Sequence, residues 1–260
     1  MLRSLLATSG VRSRARHLSV PGERPDGPPP TLLALGELGS PLDAARLVGA
    51  WPRLSQAPRG DGHLVVDIPG WRAPELTGAP LRHYLRRLGY DARGWGFGTN
   101  TGDPRRDVER LGARVLELVE ATGAPASLVG WSLGGVIARE VARRHPDAVR
   151  RVITYGTPVT GGAAHTTIAR ASGRGDADTE RVARRLRPST PIDVPLTVVF
   201  SRRDGIVSWQ ACLDHTSPRV EHVEVSSTHL GMGVDPDVWA LVAERLAVPL
   251  RKGEGSTPGG

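Results

Sequence analysis

The sequence carries one cysteine, Cys212, and one lysine, Lys252, in 260 residues. A lone cysteine excludes an internal disulfide and says nothing of compartment. It lies in Ser208–Leu213, which reads as a short helix where a small buried filler suits it better than a nucleophile. Aromatic residues make up only 4% of the chain, so a core must rest on leucine, valine and alanine. No apolar run approaches the roughly 20 residues that span a bilayer. The near absence of lysine leaves arginine to carry the positive charge, a bias expected of a GC-rich genome. The formal net charge is +7. Residues 1–24 hold five arginines and one glutamate, so +4 of it sits there and +3 in the remainder. Elsewhere arginines alternate with acids on helical faces, as in Arg105-Arg106-Asp107-Val108-Glu109-Arg110, and no basic stripe interleaved with aromatics suggests nucleic-acid binding.

What is present suits a single α/β domain, since 260 residues approach the upper size for one hydrophobic core. Residues 1–30 read as a disordered basic tail with a Pro-rich linker, and 251–260 as a flexible tail. Met1 to Val20 has four arginines and no acid, which imitates a transit peptide. An unstructured tail on a cytoplasmic protein is the simpler account, with a targeting peptide left open. Between them, residues 31–250 alternate apolar β-type runs with helical periodicity. Strands are expected at 64–68, 90–95, 126–129, 149–155, 194–201 and 219–225. Helices are expected within 31–54, at 81–88, from Pro104 to Val119 and from Gly135 to Arg144. Asp103-Pro104 supplies an N-cap followed by proline at the first helical position. The alternation argues for a mainly parallel sheet of about six strands with helices on both faces. Residues 157–193 break the pattern and read as a small cap insertion.

The most informative five residues are Gly130-Trp131-Ser132-Leu133-Gly134. A buried run precedes them and a helical run follows, the context of a G-x-S-x-G nucleophile elbow. The turn is tight enough to demand small neighbours, and it exposes a serine hydroxyl at the carboxyl end of the sheet. Two further residues are placed on loops at the same edge. Asp204 follows the 194–201 strand in Arg203-Asp204-Gly205, and His229 follows the 219–225 strand in Ser227-Thr228-His229. A serine hydroxyl needs a base to become a nucleophile. A histidine can take and return that proton, and a carboxylate on its other nitrogen fixes the tautomer. Asp67, inside a strand, and Asp193, at the wrong end of one, are poorer acids. His63, His83, His145, His165, His215 and His222 lack the acid-and-strand context.

Val65–Gly70, the Gly-Tyr-Asp-Ala-Arg-Gly-Trp-Gly-Phe-Gly run at 89–98, Gly130–Gly135, Ile153–Pro158, Ser201–Val207 and Ser227–His229 together resemble bacterial α/β-hydrolases of the lipase/esterase type. The likeness covers residues 30–250. It implies a triad of Ser132, Asp204 and His229, and an oxyanion hole from the backbone N–H groups of Trp71 and Leu133. It implies hydrolysis of a small acyl ester with no metal and no organic cofactor. Trp71 and Arg72 depart from the smaller or aliphatic residues usual there, which bears on substrate access. Phe97, Asn100 and Trp131 are candidate substrate contacts. The Gly94–Gly102 loop fails G-x-G-x-x-G in either register. An acyltransferase or perhydrolase with the same triad, or a silent hydrolase fold serving as a binding module, remain the alternatives.

Overall fold

A computed structural model describes residues 16–17, 28–37, 40–159 and 191–249. Its strands are β1 (Arg16–His17), β2 (Leu64–Ile68), β3 (Asp91–Gly94), β4 (Ala126–Trp131), β5 (Val149–Tyr155), β6 (Leu196–Ser201) and β7 (Val220–Val225). Its α-helices are α1 (Thr31–Gly36), α2 (Ser40–Leu54), α3 (Ala79–Arg87), α4 (Pro104–Thr122), α5 (Leu133–Arg144), α6 (Trp209–Cys212) and α7 (Pro236–Leu246). The strands form one sheet in the order β1-β7-β6-β5-β4-β2-β3, with β2 to β7 parallel. The six-stranded parallel sheet expected from the alternation is therefore present. Arg16–His17 adds a two-residue antiparallel edge, pairing Arg16 with Glu224 and His17 with Val223. It lies inside the segment expected as a tail. An open sheet edge offers unpaired N–H and C=O groups that a passing strand can satisfy. The expected cap is outside the described residues from 160 to 190, as are residues 250–260 and most of the basic segment.

Successive strand side chains point to opposite faces, and both faces here are covered. Val66, Ile68, Leu128, Val152, Val198 and Phe200 pack with Leu111 and Val115 of α4 and Ile137 and Val141 of α5. Val65, Val129, Ile153, Val199 and Val223 pack with Leu81 and Leu85 of α3 and Leu241 and Val242 of α7. Such double burial explains why these strands read as near-continuous apolar runs. Helix α4 starts where Asp103 accepts from the Arg106 N–H, and stops at Gly123 in the left-handed conformation. Because β2, β4, β6 and β7 run parallel, the loops after them leave the sheet at one edge.

Candidate active site

The site is built from the elbow outward. Strand β4 ends at Trp131 and α5 begins at Leu133, so one residue must reverse the chain. Ser132 does so at φ 52, ψ −122. Its N–H donates to the Tyr155 carbonyl at 2.9 Å, and its carbonyl accepts from Gly135 at 3.0 Å. A Cβ at Gly134 would run into the backbone carbonyls of Ile68 and Pro69, and one at Gly130 into the backbone of Gly134 and Gly135. The glycines are thus required by close approach of helix, strand and the loop after β2. Ser132 is half-buried and its hydroxyl makes no hydrogen bond among the described residues.

Asp204 and His229 are brought together. The loop after β6 buries Asp204, whose Oδ1 accepts from the N–H groups of Ile206 and Val207 at 2.8 and 2.7 Å. Its Oδ2 lies 2.7 Å from Nδ1 of buried His229. Burial alone pulls the imidazole pKa down, but the charge and hydrogen bond of Asp204 and the charge of Glu37 outweigh it, leaving it above the ordinary histidine value. Gly156, at φ 58, follows the carbonyl that holds Ser132, and a Cβ there would stand 2.9 Å from His229 Nδ1. On the other side, the Trp131 ring lies 5.6 Å from the imidazole. Ser132 is therefore one residue from a ring packed on His229, although no hydrogen bond links its hydroxyl to that imidazole.

The loop after β2 closes the third side. A Cβ at Gly70 would stand 3.2 Å from the Ser132 Cβ. The N–H groups of Trp71 and Leu133, expected as the oxyanion donors, have no acceptor among the described residues. Arg72, at φ 56, and Ser132 are the non-glycine residues with positive φ among the described residues. Backbone strain of this kind costs about 1–3 kcal/mol each and clusters where function over-determines it.

Asn100 and Phe97, expected as substrate contacts, bond and pack within the chain. Asn100 is fully buried; its Nδ2 donates to the Pro69 carbonyl at 2.8 Å, and its Oδ1 accepts from the Gly102 N–H at 3.1 Å. Its carbonyl also accepts from the Arg72 N–H at 2.7 Å, so it braces the Trp71 loop through both its side-chain amide and its backbone. Phe97 packs edge-on against Trp95 at 5.4 Å and lies under the Arg110 guanidinium at 4.2 Å, on the flank of the core. Trp131 packs on His229, and its buried indole Nε1 has no hydrogen-bond partner among the described residues.

The other histidines and acids serve the frame. His63 contacts Asp61 and Ser127, and His222 accepts from the Asp214 N–H at 3.1 Å. Asp67 pairs with Arg82 at 2.6 Å; burial nevertheless pushes its pKa up to about 6. Cys212 is buried, with its thiol pKa raised by that burial. Among the described residues no three His, Cys, Asp or Glu side chains gather in a way that could hold a metal ion. Nor is any helix there long and apolar enough to cross a membrane.

Sequence reasoning missed Glu37. It caps the end of α1, and its Oε1 accepts from the N–H groups of Gly205 and His229, each at 2.9 Å. Its Oε2 accepts from Leu230 at 2.9 Å. The available signal was an acid placed at a helix C-terminus, where the helix dipole disfavours negative charge.

A family model described as alpha/beta hydrolase fold matches residues 81–185. The pimeloyl-[acyl-carrier protein] methyl ester esterase of Klebsiella pneumoniae is 34% identical over 109 residues, 38% of this chain and 37% of that protein. The biotin biosynthesis bifunctional protein BioHC of Teredinibacter turnerae is 39% identical over 62 residues, 24% of this chain and 10% of that protein. The matches therefore span well under half the length of these curated relatives. Among solved structures, Aspergillus fumigatus lipase B superposes with a TM-score of 0.56 at 18% identity, covering 75% of this chain and 57% of the lipase. Sheet order, elbow and these likenesses agree: the chain has the α/β-hydrolase fold.

Proposed function

We propose that the protein hydrolyses a small carboxylic ester through an acyl-enzyme formed on Ser132. The observation that carries this reading is the buried Asp204–His229 pair, at 2.7 Å, beside a serine held at positive φ on a strand-to-helix turn. In the first step His229 Nε2 takes the Ser132 proton as Oγ attacks the ester carbonyl carbon. Negative charge then develops on the carbonyl oxygen and is received by the N–H groups of Trp71 and Leu133, a role supported by their lack of an acceptor among the described residues. His229 next gives its proton to the leaving alcohol, and the C–O bond breaks to leave the acyl-serine. Water, deprotonated by the same imidazole, attacks that ester and releases the acid and the serine hydroxyl. Asp204 stays ionised throughout, fixing the tautomer and stabilising the imidazolium.

The hydrogen bond between a serine nucleophile and its base is commonly long before substrate binds and tightens with it. The names of the curated relatives, methyl ester esterases among them, support a carboxylic ester as the substrate class. The test is turnover of a short p-nitrophenyl ester by wild type and by Ser132→Ala. Loss of the nucleophile is expected to lower kcat by about 10⁴-fold or more, while circular dichroism stays unchanged. Undiminished turnover in Ser132→Ala would refute the mechanism.

A further inference from the structure

We propose that Glu37 is a positioning residue for the triad, its carboxylate strapping the loop that carries Asp204 to the loop that carries His229. The proposal rests on the reading of Ser132, Asp204 and His229 given above. The acid and the base stand on loops after different strands, and the useful quantity is the geometry between them. Glu37 fixes both. One oxygen takes the N–H next to Asp204, at Gly205, together with the N–H of His229 itself; the other takes the N–H of Leu230. Three charge-assisted hydrogen bonds converge on one side chain, and such bonds are about twice as strong as neutral ones.

Helix α1 is seated for this purpose. A Cβ at Gly205 would run into the Leu33 carbonyl and stand 2.7 Å from the Ala34 N. The chain of α1 thus lies directly on the Asp204 loop, and Glu37 leaves its end pointing across to His229. Besides the Asp204–His229 pair itself, a further tie between the two loops, from Arg203 Nη1 to the Ser226 carbonyl at 3.1 Å, is exposed to solvent. Solvent competition makes it the weaker constraint. The charge of Glu37 also acts on the imidazole: with Asp204, it is the charged group that raises the His229 pKa against burial. Glu37 touches the backbone of His229 and not its ring, so it acts through that residue and does not replace Asp204.

The experiment compares wild type with Glu37→Gln and Glu37→Asp, using p-nitrophenyl acetate and a fluorophosphonate probe. The His229 imidazole is titrated by NMR in parallel. Glutamine keeps the shape and loses the charge; aspartate keeps the charge but is one methylene too short to reach both loops. Both variants are expected to lose about tenfold or more in kcat and in labelling rate, with KM moved by less than about twofold, as misplacement of a reacting group predicts. The imidazole pKa is expected to fall in Glu37→Gln and to stay near the wild-type value in Glu37→Asp. If Glu37→Gln does not fold, Glu37→Asp decides alone. Folded variants with wild-type kcat and labelling rate, and only a lower Tm, would overturn the proposal. Failure of the probe to label wild type would instead overturn the triad reading beneath it.

Discussion

Ser132 holds the sharpest tension in the molecule. Its φ of 52 is a conformation that side chains bearing a Cβ avoid, and its hydroxyl makes no compensating hydrogen bond among the described residues. Function and stability are therefore expected to oppose each other at this residue. Replacing Ser132 by glycine relieves strain of about 1–3 kcal/mol. It also returns about 0.5–1 kcal/mol of backbone entropy to the unfolded chain. The net expectation is that Ser132→Gly gains roughly 1 kcal/mol of stability while losing ester turnover. Chemical denaturation reads the outcome, and a clear loss of stability would mean the elbow backbone is not strained. His229 is set in the opposite sense. An imidazole can act as a base only when neutral, and Asp204 and Glu37 hold that of His229 above the ordinary pKa.

At the scale of elements, the elbow is a packing problem solved by glycine. Helix α5 passes so close to the loop after β2 that a methyl at residue 134 meets two backbone carbonyls. Backbone cannot step aside as a side chain can. Gly134→Ala is expected to cost about 1–3 kcal/mol, the usual toll of overpacking, and to displace the Leu133 N–H from the oxyanion position proposed for it. A thermal melt and the p-nitrophenyl ester assay check both parts; an alanine variant with wild-type Tm would show that α5 can withdraw. These elements were legible in the sequence because their signals are local. Asp103-Pro104 and Gly123 mark the ends of α4, and the 149–155 strand is found where the β-branched run places it. Asp204 and His229 were legible because each follows such a run by a few residues. Glu37 was not, since its partners lie at sequence separations of 168 to 193 and are backbone groups with no side-chain signature. The hydrogen bonds of Asn100 were hidden for the same reason. Its position after a strand suggested a substrate contact, and only the fold reveals the Pro69 carbonyl that takes its amide.

Across the whole molecule, long-range ion pairs join pieces that chain order leaves apart. Arg139 on the elbow helix reaches Asp214, beyond α6, at 2.6 Å with both side chains buried. Asp214 also accepts from Ser217 Oγ and from the N–H groups of Thr216 and Ser217. Burial alone would raise its pKa, but Arg139 and these hydrogen bonds hold the carboxyl well below the usual carboxylate range. A carboxylate depressed in the folded state contributes stability above its unfolded pKa of about 4, and that contribution drains away as pH falls toward the folded value. Thermal melts from pH 7 down to pH 2 are therefore expected to show a steeper loss in wild type than in Asp214→Asn. The variant should start lower by about 3–5 kcal/mol, because it leaves Arg139 buried without its charge partner. Parallel curves would mean that Arg139 and the hydrogen bonds around it do not hold the Asp214 carboxyl depressed in the folded state.

The function proposed for the molecule turns on whether the serine at the elbow reacts. The most direct measurement is mass-spectrometric mapping of a fluorophosphonate adduct on the intact chain. A single adduct on Ser132, absent from Ser132→Ala and slowed by about 10³-fold or more in His229→Ala, is the predicted result. An unlabelled wild type, or an adduct on any other residue, would contradict it.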